Sequence, residues 1–175
     1  IDRIFQCVPL MLALSCEMPE PADYKTMDVV GTPVLLVRGK DRAVRAFLNV
    51  CAHRWAPVAP EGRGTCEQFR FICPFHGWTY SAEGTLIGIA DSAKFGDIDK
   101  LTHSLRQLPC EERHGMIFCC LSPGTGLDLD GYYRGFLQEF AAFNLENWRF
   151  LGNSVLEAAN WKLVPFLPKL WEEMG

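Results

Sequence analysis

Short runs of β-branched and aromatic residues, cut by Gly, Pro, Asp or Asn, succeed one another along the first 125 residues, the pattern of a mainly β chain. Val34–Arg38, the turn Gly39-Lys40-Asp41 and Ala43–Val50 predict a hairpin whose second arm runs straight into Cys51. Phe69–Ile72 leads into Cys73, and Gly77–Ser81, a turn at Ala82-Glu83-Gly84 and Thr85–Ala90 lead away from it. Leu108–Cys110 and Met116–Leu121 are further strand candidates. Ser122-Pro123-Gly124-Thr125-Gly126 breaks the pattern. Beyond it, Asp128 or Asp130 as N-cap predicts a helix over Tyr132–Phe143, with Leu129, Tyr133, Phe136, Leu137, Phe140 and Phe143 along one face. A strand candidate at Arg149–Ala158 precedes a tail in which Pro165 and Pro168 resist both helix and central strand. The longest apolar run, Val8–Leu14, is interrupted by Pro9 and falls far short of the roughly 20 residues of a membrane helix.

The 15 Gly and 11 Pro that punctuate these runs, with 49% hydrophobic and 22% charged residues, describe an ordinary packed scaffold and exclude a disordered, collagenous or coiled-coil chain. A length of 175 residues fits one domain, or one domain and a fragment. Lys and Arg are scattered and the formal net charge is −4, so neither nucleic acid nor a membrane surface is expected as a partner. Eight Cys at irregular spacing are too sparse for a disulfide scaffold and suit a reducing compartment, and a cytoplasmic location is expected.

The chemistry concentrates in Cys51-Ala52-His53 and Cys73-Pro74-Phe75-His76, two Cys–His pairs separated by Arg54–Ile72. With Cys at about one position in twenty, two of four histidines following a Cys this closely is an improbable accident. Two Cys and two His would satisfy a tetrahedral zinc ion, but zinc modules usually group Cys with Cys and His with His. One of each per loop suits a di-iron cluster in which one iron takes both thiolates and the other both imidazoles.

These residues, with Gly77 and Trp78 completing the second half, resemble the Rieske motif C-x-H followed by C-x-x-H-G, and more closely the Rieske domain of ring-hydroxylating (Rieske non-haem iron) oxygenase α subunits. The likeness extends to Glu17-Met18-Pro19 through Tyr24 and to Asn160-Trp161-Lys162. It implies a Rieske-type antiparallel β-sandwich over residues 1–158, a small cluster-binding subdomain with its loops at about 49–90, and one or two helices near the C-terminus. It implies a [2Fe–2S] cluster with Cys51 and Cys73 on the inner iron and His53 and His76 on the outer one. Electrons would arrive from a reductase or ferredoxin and pass to a mononuclear Fe(II), an oxidoreductase activity of the aromatic-catabolism type. The full-length protein would be a homo-trimer. No histidine follows His114, so the 2-His-1-carboxylate set that the family places after Asn-Trp-Lys is expected only in a missing domain. Residues 159–175 are then the truncated start of a catalytic domain or a non-native tail, and this chain alone transfers electrons, with no catalytic residue of its own. A free-standing Rieske ferredoxin is the first alternative and a structural zinc domain the second.

High-potential Rieske proteins tie their loops with a disulfide between extra cysteines, but Ala56 and Phe75 stand at those positions, and Trp78 replaces the hydroxyl that donates to a cluster sulfide. A potential toward the low end of the Rieske range follows, with Tyr80 a candidate donor to a cysteine sulfur. Neutral imidazoles leave the oxidised cluster uncharged, where four thiolates would make it a dianion, so the mixed set accepts an electron more readily. Cys7, Cys16, Cys66, Cys110, Cys119 and Cys120 read as structural thiols, with Cys66 the most exposed, and His103 and His114 as surface or loop residues. Trp55, where the family commonly has Gly, implies a stiffer first loop or a differently covered cluster, and Arg54 is either a loop-orienting group or a solvated charge.

Overall fold

Val34, Leu35, Leu36 and Val37 are all fully buried at the centre of the molecule, in the computed structural model, which describes residues 5–153. A strand buried on both faces reads as an unbroken apolar run, and this one, β3 (Thr32–Arg38), is the middle strand of the largest sheet. Its neighbours are β2 (Asp23–Val29) and β4 (Val44–Leu48), flanked by β5 (Arg63–Thr65) and β9 (Gln107–Leu108) in the order β5-β2-β3-β4-β9. A second sheet joins β1 (Leu10–Leu14), β11 (Met116–Cys119) and β10 (Cys110–Arg113). The third, β6 (Arg70–Ile72), β7 (Trp78–Ser81) and β8 (Leu86–Ile89), carries the cluster-binding motifs. All pairings are antiparallel.

The alternation of side chains along a strand sorts these sheets into layers. Leu35, Val37 and Phe47 face the third sheet, meeting Phe71, Trp78, Tyr80 and Leu86. Val34, Leu36 and Ala46 face the opposite way and meet Ala13, Ile117 and Cys119. Met116 and Phe118, one register off in β11, pack beyond that sheet on Leu129, Leu137 and Leu145. Arg38 clamps the first two sheets: its guanidinium donates to both oxygens of Glu112 at 2.8 and 3.0 Å and to the Met18 carbonyl at 2.5 Å. Glu17 and Lys25 pair at 2.7 Å nearby, with Glu17 also accepting from the Leu14 amide.

The hairpin β3–β4 and the strands around Cys73 form as the sequence predicts. The helix over Tyr132–Phe143 does not: Arg134 and Gly135 take φ of +48° and +84°, splitting it into α1 (Leu129–Tyr133) and α2 (Leu137–Phe140), with a 3-10 turn at Ala141–Phe143. Asp128 is the N-cap, accepting from the Gly131 amide at 2.9 Å, whereas Asp130 pairs with Arg113. Leu129 and Leu137 are buried, but Phe136 and Phe143 of the expected stripe are more than half exposed. Cys66 is buried as well, closing the core beside Tyr24, and Cys7 is the exposed thiol among the six. No strand forms over 149–153, and the rest of that strand candidate, with the tail, lies outside the described residues. Among the described residues no helix is long and apolar enough to cross a membrane.

Candidate metal centre

β4 delivers the chain to Cys51 and β6 delivers it to Cys73, and the two loops that follow are built alike. The Cys51 amide donates to the Ala56 carbonyl at 2.7 Å and the Trp55 amide returns to the Cys51 carbonyl at 2.9 Å. The Cys73 amide likewise donates to Trp78 at 2.8 Å and the Gly77 amide to Cys73 at 3.0 Å. The fifth residue of each loop is left-handed, Trp55 at φ +62° and Gly77 at +64°. Glycine serves this conformation without strain, and at position 77 a Cβ would also meet the Ala90 Cβ at 2.7 Å. Trp55 pays that conformational cost, yet its ring is 66% exposed and packs against Arg106, 5.6 Å away, so it does not roof the imidazoles. Arg54 is exposed. Buried Asn49 holds the base of the first loop, accepting from the Val58 and Ala59 amides and donating to the Ala59 carbonyl.

The loops bring the four predicted residues together. Cys51 and Cys73 are both 2% exposed, members of one buried cluster, and the His53 and His76 rings stand edge to face at 4.6 Å nearer the surface. The Tyr80 hydroxyl lies 3.3 Å from Cys51 Sγ and accepts from the Ala52 amide at 3.1 Å, which leaves its own proton for the sulfur. Burial, then the Cys51 sulfur beside it, pushes the Tyr80 hydroxyl well above the ordinary phenol range. Burial likewise raises the Cys73 thiol, opposed by the Phe75 and His76 amides, so a bound cation is needed to draw out the thiolate. Burial and the neighbouring His76 and Arg54 lower His53, favouring the neutral imidazole that ligates metals. His76 Nδ1 is buried with no partner among the described residues, the condition of a nitrogen kept for a metal.

Among the described residues no three His, Cys, Asp or Glu side chains gather about a single point. Two irons with two protein donors each ask for no such triple, and the donor set fits a [2Fe–2S] cluster in number, type and depth. Three aromatic contacts of the site escaped the sequence reading: Trp78 stacks parallel on His53 at 5.2 Å and 10°, Phe95 meets the His53 ring edge-on at 5.1 Å, and His103 packs on Trp78 at 5.8 Å. His103 is the loop residue expected, half-buried with Nδ1 2.9 Å from the Asp99 carbonyl oxygen, and from that loop it reaches the Trp78 ring.

Paired loops with this donor set, mounted on a small sheet above a β-sandwich, define an iron–sulfur domain of the Rieske class. A family model, the Rieske [2Fe-2S] domain, matches residues 8–109, and the chain belongs to that family. Among curated proteins it is 29% identical over 93% of its length to the glycine betaine monooxygenase oxygenase subunit of Chromohalobacter salexigens. It is 33% identical over 63% of its length to the anthranilate 1,2-dioxygenase large subunit of Burkholderia cepacia. Among solved structures, a quaternary ammonium Rieske monooxygenase, described for carnitine oxidation and inter-subunit electron transfer, superposes with a TM-score of 0.73 at 29% identity, over 81% of this chain and 38% of that one. The chain spans 36% of the betaine monooxygenase subunit and 27% of the anthranilate dioxygenase subunit, so it corresponds to about a third of these relatives. The resemblance read from the motifs therefore holds for Rieske oxygenases, and the relatives include quaternary ammonium monooxygenases beside an aromatic-ring dioxygenase.

Proposed function

We propose that Cys51 and Cys73 ligate the inner iron and His53 and His76 the outer iron of a Rieske [2Fe–2S] cluster, and that the chain is the electron-transfer domain of a Rieske oxygenase. The matched pair of loops carries this reading: the same two backbone hydrogen bonds close each one, and each presents one sulfur and one imidazole to a common space. The cluster, when bound, supplies one-electron chemistry. The chain's residues do the rest: burial of both cysteines keeps water from the inner side, and the Tyr80 hydroxyl is placed to offset negative charge on Cys51. Electrons would come from a reductase or ferredoxin and leave by the imidazole edge toward a mononuclear iron in another domain of the full protein, a homo-trimer by analogy with the family.

Alignment with the betaine monooxygenase subunit continues past the Rieske region, whereas alignment with the anthranilate dioxygenase covers a shorter stretch. A quaternary ammonium substrate for the full protein is accordingly favoured over an aromatic one. The test is analytical. The purified chain is expected to hold about two irons and two acid-labile sulfides and, after dithionite, to show the electron paramagnetic resonance of mixed His/Cys ligation, with Cys73→Ser lacking both. One zinc ion and no sulfide would overturn the reading.

A further inference from the structure

Among the described residues three buried side-chain nitrogens have no hydrogen-bond partner: His76 Nδ1, Trp78 Nε1 and His114 Nε2. An unpaired buried donor costs about 1–3 kcal/mol, and folded proteins leave few of them. His114 belongs to the turn between β10 and β11, and His76 Nδ1 is accounted for as a ligand atom. The Trp78 indole is left, a group that can donate and cannot accept. It is 1% exposed, lies parallel to the His53 ring, and is boxed edge-on by Phe95 and His103, each 5.8 Å away. Two residues on, the same face of β7 carries Tyr80, whose hydroxyl reaches Cys51 Sγ. One face of one strand thus presents two donors toward the site, and only that of Tyr80 finds its acceptor among the described residues.

We propose that Trp78 is a positioning residue for the cluster: its ring face fixes the plane of the His53 imidazole, and its N–H is a hydrogen-bond donor kept for a sulfur of the bound cluster. The inference rests on the ligand assignment above. A donor to cluster sulfur favours the reduced, more negative state and raises the reduction potential. Packing the N–H over the His103 ring would be a second-order interaction and would leave the potential alone.

The test compares the intact chain with Trp78→Phe, which keeps an aromatic face but no N–H, and Trp78→Leu, which keeps neither. Trp78→Phe is expected to retain the Rieske resonance, to have a lower midpoint in redox titration, and to lose one exchangeable-deuteron coupling in pulsed resonance after transfer to D2O. Trp78→Leu is expected to lose that coupling and also to shift the g values as the His53 plane relaxes. Trp78→Phe with the parent midpoint and every exchangeable coupling removes the donor, and Trp78→Leu with unchanged g values removes the stacking. Should either variant fail to take up the cluster, replacement of Trp78 by benzothienylalanine, which swaps N–H for sulfur at constant ring size, gives the same comparison. A parent chain with no Rieske resonance overturns the ligand assignment itself, a result distinct from all of these.

Discussion

One oxygen atom, that of Tyr80, joins the two halves of the site: it accepts from the Ala52 amide in the first loop while standing on the strand that leaves the second. Removing it takes the Tyr80 donor from Cys51, so Tyr80→Phe is expected to lower the midpoint potential while the cluster stays bound, as redox titration would show. The parent midpoint is itself expected nearer about −150 than +300 mV, since Ala56 and Phe75 stand where a loop disulfide would be, and a value above about +150 mV would contradict this. At this scale the ligands were legible because metal chemistry demands particular residue types at particular spacings. Asn49 was not, because its partners are backbone groups about ten residues away that no side-chain pattern reports. Phe95 comes from a stretch without periodicity, and Cys66 was misjudged because its position between the motifs says nothing of the core that Tyr24 closes over it.

Strand β2 shows why some elements were invisible. Its buried positions, Tyr24 and Thr26, alternate with Lys25 and a half-exposed Met27, so no apolar run marks it, and its hairpin to β3 turns through Val30-Gly31 rather than an Asn-Gly signal. Both turn residues have positive φ, +54° and +80°, as a two-residue hairpin turn requires, with a β-branched residue bearing the strain at the first. The broken helix fails for the opposite reason: its periodicity is real, but Gly135 stops the turn that would align Phe136 and Phe143 with Leu129. Between sheets, the Arg38–Glu112 pair is the tie most exposed to test. Arg38 is buried, and removing it by Arg38→Met strands the Met18 carbonyl and the Glu112 carboxylate, a loss of about 3 kcal/mol by analogy with broken buried pairs, to be read from denaturant unfolding. Burial pushes the Glu112 carboxyl up, but the Arg38 guanidinium, helped by Ser15 and Arg42, holds the group below its ordinary 4.5. A lowered acid adds stability above its unfolded pKa and loses it as pH falls through the folded value. Stability of the parent is therefore expected to drop below about pH 4.5 by an increment that Arg38→Met lacks.

Across the whole molecule, β3 is a partition wall, with the cluster loops against one side and, on the other, a second sheet backed by helices. Leu129 belongs to the farthest layer and is 1% exposed; Leu129→Ala is expected to cost about 3 kcal/mol in unfolding while leaving the resonance and midpoint of the cluster unchanged, because two sheets intervene. A shifted midpoint would show that the layers communicate. The mainly β architecture and the position of the motifs at strand ends were readable from runs and breaks, whereas the layering was not, since it depends on which face of β3 and β11 each alternate residue takes. The chain leaves the large sheet at β4, returns to its far edge as β5 against β2, and rejoins it beside β4 at β9, with the Leu48 amide donating to the Arg106 carbonyl at 2.9 Å. The cluster loops thus belong to two excursions, β4 to β5 and β5 to β9, each anchored at both ends to the large sheet, and a change in the length of either leaves the strand pairings of the host in place. Selection could reshape the redox module within such a bracket, gaining or shedding whole turns, while its foundation kept the same register.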